Sequence, residues 1–367
     1  KLNIDYNETQ EKAIKSALNN NITIISGGPG TGKTTIINAI VKLYIDKYKL
    51  GSADIMETIA LLAPTGRAAK KINSSTGLPA YTIHRYLKWF KESNEFLYNE
   101  YNRTHHKLII VDEVSMIDVS LFNALLNGIS SSVKLILVGD TFQLPSVGPG
   151  LVLNDLIESD YFNYIPLNLI YRQSDNSYIP FLAKEIKNND LSEDFLNKKD
   201  DYNFVSCDKS KINEAIEQII KYSLSKNIDE RNLQVLAPMY RGENGIDALN
   251  VLLQNIYNPR SKMREEITYG DIIYRENDKV IQLVNDLDNN VFNGDVGFIE
   301  SIYNNKIIID FDGNKVEYSK KDLKEIKHAY AITIHKSQGS EFMHVLMPIS
   351  SSYYRMLYNK LIYTGVS

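Results

Sequence analysis

One stretch near the amino terminus constrains this chain more than any other. The residues Gly27-Gly28-Pro29-Gly30-Thr31-Gly32-Lys33-Thr34 follow an apolar run at 22–25 and precede a second apolar run from 36 onwards. The spacing G-x-x-x-x-G-K-T between these runs predicts a strand, a glycine-rich loop and a helix. Glycines let the backbone curl so that N–H groups point inward, and the helix adds its positive end. The sequence therefore predicts a loop shaped for a nucleoside triphosphate.

The side chains of this loop indicate how the nucleotide would be held. We expect Lys33 to reach the β- and γ-phosphates and Thr34 to offer its hydroxyl to Mg²⁺. The predicted nucleotide-contacting residues are Gly28, Pro29, Gly30, Thr31, Gly32, Lys33, Thr34 and Thr35.

Three further segments predict the rest of a phosphoryl-transfer site. Asp112 and Glu113 follow the apolar run 107–111, where Asp112 would complete the metal environment and Glu113 would orient and deprotonate the attacking water. Gln143 follows the strand-like run 134–140 and could sense the γ-phosphate. Arg172 opens a second unit and would reach the γ-phosphate from there.

Composition limits the class of protein. The chain has 367 residues, 43% of them hydrophobic, which favours two or three domains with sizeable cores. No apolar run is long enough to span a bilayer, and the single cysteine, Cys207, excludes an internal disulfide, so we expect a cytoplasmic protein with Cys207 buried. The net charge of −4 means that any nucleic-acid contact must come from a local basic patch.

Strands that alternate with helices, each strand nearly continuously apolar, predict an α/β fold with parallel sheets. The expected strands are 58–63, 107–111 and 134–140 in a first domain, with 234–239 and 330–335 in a second. Residues about 265–327 instead predict a small all-β insertion, and 90–106 predicts a short hairpin. We therefore divide the chain into 1–167, then 168–264 with 328–367, and the insertion.

Taken in order, the motifs resemble the motor core of a superfamily 1 DNA helicase of the RecD-like type. The segments that carry the resemblance are Asn7–Gln10, Gly27–Thr34, Ala63–Ala69, Thr82–Arg85, Val111–Met116, Val138–Val147, Tyr171–Gln173 and Thr333–Phe342. The resemblance implies two RecA-like domains, an SH3-like insertion at 265–327 and a strand-splitting pin at 90–106. It also implies roles in DNA repair and recombination.

The resemblance assigns further residues. Gln10 would read the adenine of ATP, and Gly339 and Glu341 would lie on the nucleotide side of the second domain. The implied contacts with single-stranded DNA are Pro64, Thr65, Arg67, Thr82, His84, Thr333 and His335.

A local basic cluster supports an interaction with DNA. Its cationic members are Arg67, Lys70, Lys71, His84, Arg85, Lys88 and Lys91, with Tyr86, Trp89 and Phe90 among them. Basic groups can hold phosphates and rings can stack on bases. Core packing for the rings, and a solvated helix face for Lys70 and Lys71, remain open alternatives.

These features predict a helicase that depends on ATP and Mg²⁺, moves 5′ to 3′ on single-stranded DNA and unwinds tailed duplexes. We expect a monomer that can join further protein subunits and that does not associate with a membrane. The family continues into an arginine beyond Ser367, so we expect impaired ATP turnover from this polypeptide. Two alternatives remain. One is an ATP-gated single-strand-binding subunit without motor activity, and the other is the helicase part of a conjugative relaxase.

Overall fold

The computed structural model describes residues 5–90, 93–168, 177–286 and 288–367. Over these ranges the chain forms two compact units, one of residues 1–203 with 366–367 and one of residues 204–365. Each unit contains its own parallel sheet and its own core. Arg172 lies outside the described residues.

The sheet of unit 1 is parallel throughout. In chain order its strands are β1 (Ile22–Gly27), β2 (Ile59–Ala63), β3 (Ala80–Thr82), β6 (Leu108–Val111), β7 (Lys134–Gly139) and β8 (Asn163–Leu167). Their order across the sheet is β3-β2-β6-β7-β1-β8, with Ile24 opposite Leu137 on one side and Tyr164 on the other. The strand bearing the phosphate loop is thus inside the sheet, next to β7.

Helices cover both faces of this sheet, as nearly continuous apolar strands require. They are α1 (Glu8–Asn19), α2 (Lys33–Tyr48), α3 (Ser52–Thr58), α4 (Gly66–Thr76), α5 (Ile83–Tyr86), α6 (Val119–Gly128) and α7 (Val152–Glu158). A further helix of unit 1, α8, spans Ile179–Asn188. Alternate residues of β6 serve the two faces: Leu108 and Ile110 join the core under α2, and Ile109 and Val111 join the core under α6. Both cores are therefore anchored on the same strands.

A short hairpin projects between β3 and β6. Strands β4 (Trp89–Phe90) and β5 (Glu95–Phe96) pair antiparallel, and an isolated bridge joins Asn99 to Asn102. The chain returns to the sheet where the amide of Lys107 donates to the Thr58 carbonyl (2.8 Å). This hairpin occupies the region where one was expected.

Unit 2 combines a small parallel sheet with helices. Strands β9 (Leu233–Ala237), β17 (Ala331–Thr333) and β18 (His344–Leu346) pair in the order β17-β9-β18. The helices of this part of the chain are α9 (Ile212–Ser225), α10 (Ile246–Tyr257), α11 (Ile334–Ser337) and α12 (Asn359–Val366). Leu249 and Leu253 of α10 are fully buried against this sheet.

Between α10 and β17 the chain is antiparallel β structure, as predicted. Its strands are β10 (Glu266–Tyr269), β11 (Ile272–Arg275), β12 (Lys279–Gln282), β13 (Val296–Tyr303), β14 (Lys306–Phe311), β15 (Asn314–Ser319) and β16 (Ile326–His328). The last five form one sheet in the order β15-β14-β13-β12-β16, and β10 pairs with β11. The predicted fold class, a parallel α/β core with an all-β insertion, is confirmed.

A buried carboxylate ties this insertion to the parallel part of unit 2. Asp278, immediately before β12, is fully buried and accepts five hydrogen bonds. The donors are Gln254 Nε2 (2.6 Å), Asn258 Nδ2 (2.7 Å), the Arg275 amide (2.7 Å), His328 Nε2 (3.0 Å) and Tyr330 Oη (2.9 Å). Because these donors come from α10, the insertion and the segment entering β17, the network fixes the three segments together.

Three local expectations differ from the structure. The predicted strand at 330–335 ends at Thr333, because the Thr333 side chain accepts from the Lys336 amide (3.2 Å) and starts α11, which carries His335. Helix α3 was not expected. Cys207 was expected to be buried but is exposed, since it lies in an extended stretch outside both cores.

Across the described ranges, no helix combines the length and apolar character needed to cross a membrane.

Replacing Asp278 with Ala should lower the free energy of unfolding of unit 2 by about 3–5 kcal/mol, since five donors, His328 among them, would lose their acceptor. Urea denaturation measures this change. The control is Asp271→Ala, an exposed carboxylate in the β10–β11 turn, which should change stability little. Equal effects of the two substitutions would contradict the structural role of Asp278.

Candidate nucleotide and nucleic-acid sites

The glycine-rich segment forms the loop that its sequence predicts. Strand β1 ends at Gly27 and helix α2 begins at Lys33. Gly30 and Gly32 have φ of 70° and 83°, a left-handed backbone that glycine adopts without steric cost. The loop therefore turns back over the amino-terminal end of α2, where free N–H groups favour an anion.

Side chains brace the loop from within. Thr31 Oγ1 donates to the Gly28 carbonyl (2.8 Å), and Lys33 Nζ donates to the carbonyls of Gly27 (2.7 Å) and Gly28 (3.1 Å). Lys33 is thus held across the mouth of the loop, and Thr34 follows it in the first turn of α2. The arrangement keeps an ammonium group where a phosphate chain would lie.

Gln10 is a structural partner of this loop. It is buried, its Nε2 donates to the Thr31 carbonyl (3.1 Å), and its Oε1 accepts from the Asn7 amide (3.2 Å). A Cβ placed on Gly32 would come within 2.6 Å of Gln10 Nε2. The contact between α1 and the loop therefore needs glycine at position 32. Adenine recognition by Gln10 stays a prediction.

Acidic groups gather at the carboxyl ends of the neighbouring strands. Asp112 and Glu113 follow β6, and Asp140 follows β7, which pairs with both β6 and β1. All three carboxylates are buried. Since these strands are parallel, their ends share one edge of the sheet with the phosphate loop.

Glu113 has the chemistry expected of a buried base. Burial, reinforced by the charges of Asp112 and Asp140, raises the pKa of its carboxyl to about 7, while Lys33 and Lys71 act in the opposite direction. Its backbone is left-handed, with φ 54°. Lys33 is therefore close enough to Glu113 to favour its ionised form, and their common role in one site stays a prediction.

Several polar atoms at this edge are buried without a hydrogen-bond partner. They are Glu113 Oε2, Ser115 Oγ and Gln143 Oε1. Buried polar atoms are normally paired, so these atoms mark where a ligand or water would bind. Glu113 and Gln143, both predicted from sequence, are among these residues, and their joint role stays a prediction. Ser115, two residues after the Asp-Glu pair, and Lys71 of α4 were not assigned to this site from sequence.

The donor set suits Mg²⁺ held partly by a nucleotide. Within the described ranges, no group of three or more His, Cys, Asp and Glu side chains could hold a metal alone. Mg²⁺ is commonly bound by one or two protein oxygens together with phosphate oxygens and water. Thr34 and Asp112, which are predicted to supply such oxygens, fit that pattern. Their role as ligands stays a prediction.

The threonines predicted to contact DNA share one structural role. Thr65 accepts from the Ala68 amide (3.3 Å) and caps α4, and Thr82 accepts from the Arg85 amide (3.2 Å) and caps α5. Thr333 caps α11 of unit 2 in the same way. Each follows a parallel strand, so each places a helix amino terminus at a strand end, where phosphates can bind. Contact with DNA itself stays a prediction.

The remaining predicted contacts occupy varied surroundings. Pro64, Arg67 and His335 are half-buried, and burial lowers the pKa of His335. In unit 2, Gly339 has φ 70° and Glu341 is exposed. Their roles stay predictions, as does that of Arg172.

Of the ring-containing residues in the basic cluster, some are packed in the core and others are exposed, where they could stack on bases. Tyr86 is buried in the core, whereas Phe90 is 52% exposed on the hairpin. The His84 ring lies 5.7 Å from Trp89 and 5.9 Å from Phe96, between centroids, and burial lowers its pKa. His84 therefore packs against the hairpin as a neutral ring at pH 7 and does not add to the positive charge.

Three family models match the chain. They are the AAA domain over residues 10–149, the ATP-dependent RecD-like DNA helicase SH3 domain over 249–311 and the UvrD-like helicase C-terminal domain over 328–367. The chain is also 31% identical to the ATP-dependent RecD2 DNA helicase of Deinococcus radiodurans, over 98% of this chain and 47% of that protein. By these matches the chain is similar to the RecD-like helicases of superfamily 1.

Other relatives of this RecD-like chain include the RecBCD enzyme subunit RecD of Mycolicibacterium smegmatis, which is 28% identical over 98% of this chain and 69% of its own length. The chain thus spans about half of the RecD2 relative and about two thirds of this RecD subunit.

Solved structures share the fold of the RecD-like chain. A Bacteroides Pif1 helicase in complex with ADP-AlF3 and single-stranded DNA has a TM-score of 0.58 at 16% identity, covering 99% of this chain and 90% of that one. The Pif1 helicase of Candida albicans has a TM-score of 0.57 at 17% identity, covering 99% and 92%.

Gly32→Ala should weaken both the fold and nucleotide binding of the RecD-like chain. A left-handed backbone costs a residue with a side chain about 1–2 kcal/mol, and the new methyl would displace Gln10 from the loop. Gly77→Ala is the matched control, because Gly77 has φ 72° but nothing within 4 Å of its added Cβ. Denaturation and nucleotide titration of both variants measure the difference. Unaltered nucleotide affinity in Gly32→Ala would contradict the tight fit of Gln10.

Proposed function

We propose that this chain is the motor of an ATP-driven DNA helicase that moves 5′ to 3′ along single-stranded DNA. One observation carries the proposal. The braced phosphate loop and a buried carboxylate with a raised pKa, Glu113, share one electrostatic site at the edge of a parallel sheet. The names of the relatives and the ADP-AlF3 complex of a Pif1 helicase support ATP as the nucleotide.

In this proposal the residues of unit 1 divide the chemistry. Lys33 would leave the loop carbonyls and pair with the β- and γ-phosphates, and Thr34 and Asp112 would hold a Mg²⁺ ion that supplies positive charge to the phosphate oxygens. Glu113 takes a proton from the attacking water, and Gln143, whose Oε1 has no partner, orients that water. Arg172, Gly339 and Glu341 are proposed to complete the nucleotide environment.

DNA would be held through helix amino termini. Thr65 and Thr82 cap α4 and α5, whose free N–H groups can bind phosphates of one strand, and Thr333 offers the same geometry in unit 2. Pro64, Arg67, His84 and His335 lie beside these caps in sequence. ATP binding and hydrolysis would then change how tightly the protein holds the DNA strand. The reason is that a nucleotide shifts the balance between two protein conformations whenever it binds one of them more tightly than the other.

Glu113→Gln should keep nucleotide binding and lose hydrolysis. The amide preserves shape but cannot accept the proton, which typically removes about 10²–10⁴-fold of the rate. DNA-stimulated phosphate release and fluorescent-nucleotide binding measure the two properties. Glu158→Gln, an exposed glutamate at the end of α7, is the control and should leave both unchanged. Normal turnover in Glu113→Gln would exclude Glu113 as the base.

Duplexes with a single-stranded tail at either end test the activity itself. We expect ATP-dependent strand displacement from 5′-tailed substrates and little from 3′-tailed ones, with Lys33→Ala inactive on both. Displacement from 3′ tails alone would contradict the proposed direction. ATP-dependent DNA binding without hydrolysis would instead identify a nucleotide-gated clamp.

A further inference from the structure

Unit 1 contains a cavity of about 460 Å³ that the proposed ATPase chemistry does not use. It lies beside β3, the edge strand of the sheet, and is enclosed by α3, the start of β2 and the returning half of the hairpin. The phosphate-loop residues and the carboxylates Asp112, Glu113 and Asp140 are not among its lining residues.

The start of β2 forms the floor of the cavity. Strand β3 pairs with Leu61, Leu62 and Ala63 of β2, so Ile59 and Ala60 extend beyond that pairing. Ile59, Ala60 and Leu61 all line the cavity and are buried apolar residues. A ligand placed here would cover the apolar start of β2.

Aromatic rings with adjacent cations form part of the wall. Lys88 Nζ lies 5.4 Å from the centroid of the Tyr98 ring, and Arg85 Cζ lies 5.4 Å from that of Tyr81. Tyr81, Lys88 and Tyr98 all line the cavity. Lys88 has φ 53°, a left-handed backbone that is costly for lysine.

A hydrogen-bonded group holds the opposite wall in place. Tyr86 Oη donates to Thr104 Oγ1 (2.8 Å) and lies 3.0 Å from His106 Nδ1, while His106 Nε2 lies 3.3 Å from the Met56 carbonyl. Burial lowers the pKa of His106, which keeps the imidazole neutral at pH 7. The wall therefore offers polar atoms and flat rings together.

We propose that this cavity binds one nucleotide, with its base against the tyrosine and histidine rings and its phosphate near Lys88. The volume falls within the range of small-molecule sites, about 300–1,000 Å³. Bases stack on aromatic side chains, and the cationic partners of Tyr81 and Tyr98 suit an anionic phosphate. Glu57, also in the lining, offers an acceptor for a base N–H. The nucleotide is either free or part of a bound DNA strand, and both share this chemistry.

Photocrosslinking distinguishes the two sources. The probes are 5-iodo-2′-deoxyuridine 5′-monophosphate and an oligothymidylate that carries one 5-iodouracil. Both are applied to the full chain with Lys33→Ala, which removes the main anchor of the phosphate loop, and adducts are mapped by mass spectrometry. Adducts at Tyr81, Tyr86, Tyr98 or His106 from the monomer indicate a free nucleotide, and adducts from the oligonucleotide alone indicate a base of the strand.

Two substitutions test whether the adducts depend on the cavity. Tyr98→Ala should reduce adduct yield at subsaturating probe by at least about fivefold, the lower end of the effect of one stacked base. Lys88→Gln, an exposed and structurally mild change, should reduce it as well and remains informative if Tyr98→Ala fails to fold. Tyr161→Ala, an exposed tyrosine outside the cavity, is the control and should not. Absence of adducts at the cavity with both probes, or yields unaffected by both substitutions, overturns the proposal.

Discussion

Hydrogen bonding between adjacent parallel strands is the constraint on which the nucleotide site depends. The register of β1 with β7, and of β7 with β6, aligns three strands that enter the sheet from distant parts of the chain. Because they run in the same direction, Lys33, the Asp112–Glu113 pair and Asp140 reach one edge of the sheet. None of these residues is near another in sequence except that pair. A slip in register would separate the ammonium group from the carboxylates and leave either set of charges buried alone.

That edge concentrates negative charge where the protein has little means to neutralise it. Asp112, Glu113 and Asp140 are buried, and burial first, then the charges of Asp112 and Asp140, raises the pKa of Glu113. Lys33 and Lys71 offset part of it. A divalent cation would offset part of the negative charge of these carboxylates, so the electrostatics of this edge favour binding of such a cation. The unpartnered oxygens of Glu113, Ser115 and Gln143 are consistent with a site built for a ligand.

Much of the fold could be predicted from local sequence patterns, whereas the rest depends on contacts between segments that are distant in sequence. The runs ending at Ala63, Val111 and Gly139 were identifiable as buried strands because their residues are continuously apolar. The antiparallel insertion was identifiable from its turns. The Gln10–Thr31 bond joins residues 21 positions apart, and it depends on how α1 packs. The unpartnered hydroxyl of Ser115 is likewise set by its neighbours in space. Helix α3 has no buried side chains, so its sequence has no amphipathic pattern from which a helix could be predicted.

The Asp278 network has a consequence for the origin of chains with this architecture. Its donors Gln254, on α10, and Asn258, which caps that helix, precede the insertion, whereas His328 and Tyr330 come at its end. The β insertion therefore depends on residues outside it. If a homologous segment replaced it, the new segment would need an acceptor for the side-chain amides of Gln254 and Asn258, which belong to the host chain. Exchange of this segment between relatives requires the helix before it to change in step.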